Sequence, residues 1–241
     1  MKNIQPYEQE KQIFFNLGGA EIKVVSKPGL ADWDQLLPST ELLAKNVRLH
    51  PGDHILLIGS HHGALATFLV RHLLDGSVSI MDNHYLALKM TAKTLSLNDI
   101  QDVSIISSID LPVDDHNQYH SVLVQAPKGR KLARRWLIQA YNALLVGGNC
   151  YIAGSNSLGI QSIIKDACEL FGNSFVLAYK KGNRIAQLLK NAEPAPIPDW
   201  ASEPGIAAGT WVEFSIPISN HSYPIRSLPG VFSYNHLDEV H

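Results

Sequence analysis

The sequence predicts an α/β protein with a doubly wound, mostly parallel β-sheet, and three observations carry that prediction. Short apolar runs alternate with amphipathic stretches over residues 53–172, which is the rhythm of a parallel sheet covered by helices on both faces. A glycine-containing loop joins the first run to the stretch after it, as expected between a strand and a helix. Beyond Gly172, two apolar runs flank a short turn, which indicates an antiparallel hairpin that ends the sheet.

Residues 1–50 are predicted to form a small β/α lead-in. Two apolar runs, 13–15 and 22–25, flank the turn Gly18-Gly19, and a helix is expected over about 39–46. The Pro51-Gly52 turn then separates this lead-in from the main domain.

Residues 51–190 are predicted to form the main domain. The apolar runs predict strands at 54–58, 77–82, 103–106, 121–124 and 150–153. The amphipathic stretches predict helices at 64–74, 84–96, 132–145 and 160–170. Gly147-Gly148 and Gly172 are expected to end the last two helices, because glycine adopts the left-handed conformation that closes a helix. The runs 174–179 and 184–189 are expected to pair across a Gly182-Asn183 turn.

Residues 191–227 are predicted to be a linker that carries one strand. Its four prolines up to residue 204 favour a stiff, extended chain, and 211–218 partly alternates like a strand. The phrase at 25–35 is then echoed at 226–238, with Pro28-Gly29 repeated as Pro229-Gly230 about 201 positions later. A repeated phrase indicates a duplicated module, so 228–241 is predicted to be the start of a second, truncated module.

The composition limits the classes of protein that the chain can belong to. The sequence has 241 residues, 45% hydrophobic and 17% charged, and no run approaches the ~18 apolar residues that span a bilayer. With no signal-peptide pattern at its start, the chain is predicted to be cytoplasmic. A formal charge of −2 argues against a generally basic nucleic-acid coat but allows a local basic patch. Cys150 and Cys168 are expected to be buried thiols and not a disulfide framework.

The first predicted strand and the loop after it form the candidate ligand site. Gly59, Ser60 and Gly63 lie in a loop where backbone N–H groups can approach a nucleotide-like ligand. Asp82 ends the next strand about 20 residues on, a spacing suited to an acid that binds ribose hydroxyls. The alternative is that Asp82 caps the helix that follows.

These residues, with the order of elements and the terminal hairpin, resemble the class I methyltransferases that use S-adenosylmethionine. Within that class the chain is similar to the amino-terminal half of the tandem ribosomal-RNA guanine methyltransferases, which modify the exocyclic amine and whose two halves are related copies. The stretches that carry this closer resemblance are 125–132, 145–149, 154–162, 228–233 and 236–238. The resemblance implies a Rossmann-like sheet of seven strands, with S-adenosylmethionine held at Gly59, Ser60, Gly63 and Asp82.

The chain also departs from the active half of that family. Leu57 stands where the family has an acid before the first glycine, and His61 replaces a middle glycine. Gln125 and Pro127 match the motif that holds the target amine, but Lys128 replaces its aromatic residue. The resemblance therefore implies a degenerate half that supports RNA binding or the catalytic half. The implied partners are ribosomal RNA or a second methyltransferase module.

Five cations lie within eight positions at the start of a predicted helix. They are Lys128, Arg130, Lys131, Arg134 and Arg135. The carboxyl end of a strand is where substrates meet a doubly wound sheet, so with the resemblance this cluster predicts contacts to RNA phosphates. A solvated helix face is the alternative.

Two further functions are compatible with the same residues. One is an active S-adenosylmethionine-dependent RNA methyltransferase, and the other is a nucleotide-binding oxidoreductase domain. The terminal hairpin and the lack of a complete Gly-x-Gly-x-x-Gly loop count against the oxidoreductase. No metal is predicted, because the adjacent His61 and His62 seldom offer paired ligand geometry.

Overall fold

The computed structural model describes residues 9–219, 221–231 and 235. The strands in this part are β1 (Lys11–Leu17), β2 (Ala20–Ser26), β3 (His54–Ile58), β4 (Ser77–Asp82), β5 (Ser104–Ser107), β6 (Tyr119–Gln125), β7 (Leu144–Ser155), β8 (Phe175–Lys180), β9 (Asn183–Leu189), β10 (Val212–Ile218) and β11 (His221–Ser227). The α-helices are α1 (Pro38–Asn46), α2 (Ala64–His72), α3 (Tyr85–Leu97), α4 (Arg130–Ala143) and α5 (Ile160–Phe171).

Seven of these strands form the main sheet, in the order β5-β4-β3-β6-β7-β9-β8. The five strands from β3 to β7 are parallel, whereas β9 is antiparallel to both of its neighbours. Val176 pairs with Ala186, and Ala178 with Ile185, at the edge of the sheet. The predicted doubly wound, mostly parallel sheet with a terminal hairpin is therefore confirmed.

The central position of β3 in the sheet explains why its sequence is apolar without alternation. Residues 55–58 have no exposed surface, because both faces of the strand are covered. Leu56 and Ile58 face the layer of α4 and α5, and Ile55 and Leu57 face the layer of α1, α2 and α3. This arrangement places the carboxyl end of β3 in the middle of one edge of the sheet.

Two predictions about glycines are wrong. Helix α4 ends at Ala143, and Gly147-Gly148 lies inside the long strand β7 and not at a helix end. A Cβ at Gly148 would lie 3.0 Å from the carbonyl oxygen of His120, so the glycine permits a close approach between β7 and the neighbouring strand. The turn between β8 and β9 is Lys181-Gly182, with φ values of 48° and 75°, and not Gly182-Asn183.

The segment that follows the main sheet is more structured than a proline-rich linker. Trp200 and Ile206 are buried in the same cluster as α4 and α5. The predicted strand is present as β10, and it pairs with β11 in a separate hairpin. Sequence patterns missed β11 because Pro224 and its polar neighbours do not resemble a strand.

Only the first part of the echoed tail lies within the described residues. Pro229 is buried, and a Cβ at Gly230 would lie 2.9 Å from the side chain of Leu132. Phe232 and Tyr234, in the predicted start of a second module, lie outside the described residues. Among the helices that are described, none is long and apolar enough to span a membrane.

Candidate functional site

The residues predicted to form the ligand site meet at one edge of the sheet. Gly59 and Ser60 follow β3, Asp82 ends β4, and Gln125 ends β6. Because β4 and β6 are the two neighbours of β3, these ends lie side by side. The backbone N–H of Gly59 donates to the carbonyl oxygen of Met81 at 3.0 Å, which joins the loop to β4. This edge is where ligands bind in open α/β sheets.

The carboxylate of Asp82 is already hydrogen-bonded within the chain. One oxygen accepts from the backbone N–H of Ser60 at 2.7 Å and from its hydroxyl at 2.9 Å. The other oxygen accepts from the backbone N–H of His84 at 2.9 Å. Asp82 is only 4% exposed. The residue that caps α3 is His84, whose ring accepts from the backbone N–H of Ala87, so the alternative that Asp82 caps this helix is wrong.

Gly59 is required by the packing of the chain itself. Its φ of +86° is in the left-handed region, where a side chain is strained. A Cβ would also lie 3.0 Å from both the carbonyl oxygen of Gln125 and the ring of Trp136. The glycine therefore allows the loop to pass over β6 and α4, whether or not a ligand is present.

The two histidines of the loop bind the segment at 27–35, which we call the entrance segment. The Nε2 atom of His61 lies 2.6 Å from the carbonyl oxygen of Ala31, and that of His62 lies 3.0 Å from the carbonyl oxygen of Gln35. A carbonyl can only accept, so each Nε2 carries the hydrogen and donates it. The ring of His62 also stacks on Phe15 with ring centres 5.4 Å apart.

Both histidines are neutral at pH 7. Burial lowers the pKa of His61, and burial together with the adjacent His61 lowers the pKa of His62 to about 3. His62 is 1% exposed, which agrees with a strong desolvation effect. Within the described residues, no group of three or more His, Cys, Asp or Glu side chains could hold a metal ion.

The residues predicted to meet the target amine are also held by the chain. Gln125 is buried, and its amide nitrogen donates to the hydroxyl of Thr40 in α1 at 2.6 Å. Its amide oxygen is buried without a partner among the described residues. Pro127 is half-buried, and Leu57 lies fully in the core.

The residues predicted to hold S-adenosylmethionine already make contacts within the chain. The carboxylate suited to the ribose already accepts three hydrogen bonds, and Leu57 offers no second acid. The histidines hold the entrance segment against the loop. The ligand role of Gly59, Ser60, Gly63 and Asp82 stays a prediction.

Two cations at the start of α4 pair with a buried acid. Arg130 donates two hydrogen bonds to Asp166 at 2.7 and 2.6 Å, and Arg134 donates one at 3.1 Å. Burial raises the pKa of Asp166, but the hydrogen bonds from the two arginines outweigh it, and the net pKa is lowered. Arg134 also lies over the ring of Trp200. These contacts join α4 to α5.

Arg135 is a structural residue. It is 1% exposed, and its guanidinium donates to Asp110 at 2.8 and 2.6 Å and to the carbonyl oxygens of Gly205 and Thr210 at 2.9 Å. The prediction that Arg135 contacts RNA phosphates is therefore wrong, because charge spacing alone cannot reveal a partner 25 positions away. Lys128, Arg130 and Lys131 are exposed, and for them the RNA contact stays a prediction.

Comparison with known proteins assigns the fold to a family. Residues 21–187 match the family model described as "Methyltransferase small domain". The ribosomal RNA small subunit methyltransferase C of Shewanella sediminis is 25% identical over 83% of this chain and 54% of its own length. That of Shewanella oneidensis is 31% identical over 51% of this chain and 34% of its own length. The chain thus spans about half the length, or less, of these curated relatives.

Solved structures show the same fold. The T. thermophilus 16S rRNA N2 methyltransferase RsmC, in complex with AdoMet and guanosine, has a TM-score of 0.71 at 24% identity. This match covers 97% of the present chain and 56% of the other. A Pyrococcus furiosus methyltransferase has a TM-score of 0.57 at 15% identity and covers 70% of this chain and 89% of its own.

Proposed function

Because the chain belongs to the methyltransferase small domain family, we propose that it is a supporting module of a ribosomal-RNA guanine methyltransferase. In this role it contributes RNA binding or stabilises a catalytic half, and it does not transfer the methyl group itself. Binding to ribosomal RNA would place it in the cytoplasm. The family match also removes the reason to treat the sheet as an oxidoreductase domain.

The single observation that carries this proposal is that residues at the carboxyl end of the sheet are engaged in contacts within the chain. Asp82 is hydrogen-bonded to Ser60 and His84, and the two loop histidines hold the entrance segment. S-adenosylmethionine is the cofactor of this methyltransferase class, and it would meet the chain at the loop 59–63. His61, in the middle of this loop, contacts Ala31 of the entrance segment.

The RNA-binding part of the proposal rests on the exposed cations before and at the start of α4. Lys128, Arg130 and Lys131 lie near the carboxyl edge of the sheet. Cations at this edge can neutralise phosphates while the chain as a whole remains near zero charge. The contact would position RNA and would not read its bases.

An active methyltransferase is the second candidate. Two observations favour it: Gly59 has the left-handed backbone of a ligand-approaching loop, and Asp82 ends the strand next to that loop. The buried amide oxygen of Gln125 could in this case accept a hydrogen bond from the target amine. The two candidates differ in whether this chain alone methylates RNA.

The proposal is tested by measuring RNA retention on filters and methyl transfer from labelled S-adenosylmethionine with the same ribosomal-RNA fragments. We expect retention that falls with salt, and no transfer. Lys128→Glu with Lys131→Glu should weaken retention for all sequences and lower the salt slope by about one for each phosphate that the protein no longer neutralises. The matched control, Lys45→Glu with Lys89→Glu, reverses two exposed lysines on other helices.

Methyl transfer by the chain alone would replace the supporting role with the enzyme. Equal loss of retention in the control pair would mean that net charge, and not the start of α4, controls RNA affinity.

A further inference from the structure

A cavity of about 500 Å³ lies at the edge of the main sheet opposite the loop 59–63. Asp53 directly precedes β3, His120 and Ser121 lie near the start of β6, and residues 145–149 belong to the first half of β7. Because β3, β6 and β7 are parallel, the cavity is at the edge where these strands begin, whereas the loop 59–63 follows the end of β3. Its volume lies within the range of about 300–1,000 Å³ that is typical of small-molecule sites.

Arg48 lines this cavity, and its guanidinium makes no hydrogen bond or ion pair among the described residues. The other six arginines of the chain each donate to an oxygen of the protein. They are Arg71, Arg130, Arg134, Arg135, Arg184 and Arg226. A guanidinium is always charged and presents a planar fork of N–H donors, which suits the oxygens of a phosphate. Arg48 is the arginine that remains available to an anion.

Three further side chains add hydrogen-bond donors to the lining. The Nδ1 atom of His120 accepts from the backbone N–H of His54 at 3.0 Å, so the hydrogen of the neutral ring is on Nε2. Ser121 is 3% exposed, and its hydroxyl has no hydrogen-bond partner in the part of the chain that the structure describes. Tyr151 is also buried, and its hydroxyl is hydrogen-bonded to the backbone of Arg48. Donors therefore line the cavity on the strands β6 and β7.

The same cavity contains acceptors. One oxygen of Asp53 accepts from the backbone N–H of His50 at 2.9 Å, and the other accepts no hydrogen bond within the described residues. A free carboxylate oxygen is suited to ribose hydroxyls. The amide nitrogen of Gln187 donates to the amide oxygen of Asn149 at 2.7 Å. The N–H₂ of Asn149 and the oxygen of Gln187 are then left as a neighbouring donor and acceptor, which suits the polar edge of a nucleobase.

The wall at 145–149 is held in place by Lys190. The backbone N–H of Gly147 donates to the carbonyl oxygen of Lys190 at 2.8 Å, and the N–H of Lys190 donates to that of Gly148 at 3.0 Å. The ammonium of Lys190 is buried and donates to the carbonyl oxygens of Tyr141 and Leu144, both at 2.8 Å. The wall is therefore formed before any ligand binds, as is usual for small-molecule sites.

We propose that this cavity binds a ribonucleoside 5′-monophosphate. Arg48 and His120 bind the phosphate, and the free oxygen of Asp53 accepts from the ribose hydroxyls. Asn149 and Gln187 bind the edge of the base. This inference goes beyond the proposed function, because the site lies at the opposite edge of the sheet and uses none of the residues predicted to bind S-adenosylmethionine or RNA.

Calorimetric titration of the full chain with adenosine, guanosine, cytidine and uridine 5′-monophosphates tests the site. We expect at least one of them to bind with a Kd below about 1 mM. The matching nucleoside lacks the anion for Arg48, and inorganic phosphate lacks the ribose and the base. Each of these two parts should bind at least about tenfold more weakly than the whole nucleotide.

Arg48→Gln should weaken nucleotide binding by about tenfold or more, because it removes the charged fork. The side chain of Arg48 is exposed and makes no contact that holds the fold, so the variant should keep the melting temperature of the unmodified chain. The matched control is Arg226→Gln, which removes another exposed arginine, in the separate hairpin β10–β11. The control should bind the nucleotide as the unmodified chain does.

Absence of binding by all of the nucleotides would overturn the proposal, and so would unchanged binding in Arg48→Gln or an equal loss in the control. Inorganic phosphate that binds as tightly as the nucleotide would reduce the site to an anion site and overturn the nucleotide assignment. Binding of a 5′-phosphorylated RNA oligonucleotide, without binding of any mononucleotide, would assign the cavity to RNA ends instead.

Discussion

The hairpins β1–β2 and β10–β11 share an alternation of side chains, yet only the first is covered by helices among the described residues. Ile22 has no exposed surface, whereas its counterpart Tyr223 is half-exposed. The entrance segment follows the first hairpin, and His61 and His62 hold it against the loop that follows β3. The comparison teaches that turn and alternation determine the hairpin locally, while its burial depends on a helix pair packed against it.

The largest expected difference between the hairpins is in the free energy of unfolding. Ile22→Ala removes a fully buried side chain and should lower this free energy by about 2–5 kcal/mol. Tyr223→Ala in the same chain should change it by less than about 0.5 kcal/mol, because the side chain is exposed. Urea denaturation of both variants measures the difference. Similar losses would mean that the second hairpin is packed on the chain as the first is.

A smaller difference is expected in the dependence of stability on pH. The pKa of His62 is about 3 in the folded state and takes its ordinary value of 6.5 in the unfolded chain, so the unfolded state binds more protons between these limits. The contribution of His62 is complete above pH 6.5 and is lost as pH falls, by at most about 1.4 kcal/mol per pH unit. His62→Gln keeps a donor for Gln35 but does not titrate, and it should flatten the dependence.

The control for this experiment is His221→Gln in the second hairpin, where the side chain is exposed. Its unfolding free energies at about pH 7, 6 and 5 should follow those of the unmodified chain. An unchanged dependence in His62→Gln would show that His62 takes up a proton as readily in the folded state as in the unfolded chain, contrary to its burial.

The smallest effect is expected from removal of 228–241. Pro229 is buried and Gly230 lies beside Leu132, while the hairpin β10–β11 before them is separate from the main sheet. Calorimetry should show a melting temperature within a few degrees of the full chain. A large fall would place the tail in the core of the first module, against the predicted start of a second one.

Local patterns predicted most of the fold. Strands such as β3 were predicted because a buried parallel strand has a continuous apolar sequence. The end of α5 at Gly172 was predicted because glycine closes helices in the left-handed conformation. Gly147-Gly148 carries the same signal, yet it lies in β7, where the glycine permits close backbone approach. Composition does not distinguish the two uses of glycine.

The candidate site was predictable in position but not in contacts. The ends of neighbouring strands bring Ser60 and Asp82 together, and spacing along the chain was enough to predict that. The partners of Arg135 and His61 lie 25 and 30 positions away, and tertiary packing alone brings them close. Sequence patterns therefore predicted the cation cluster and the glycine loop. Tertiary packing determines which of their side chains remain available to a ligand.

Calorimetric titration of the full chain with S-adenosylmethionine tests most directly whether the entrance segment prevents the cofactor from binding at the loop 59–63. Asp82 accepts three hydrogen bonds from Ser60 and His84, and His61 and His62 hold the entrance segment against the loop. We predict no binding heat at ligand concentrations up to about 1 mM, the weak limit of useful affinity. A complex with a Kd in the micromolar range or tighter would contradict the claim that the entrance segment prevents cofactor binding, and it would support an active methyltransferase.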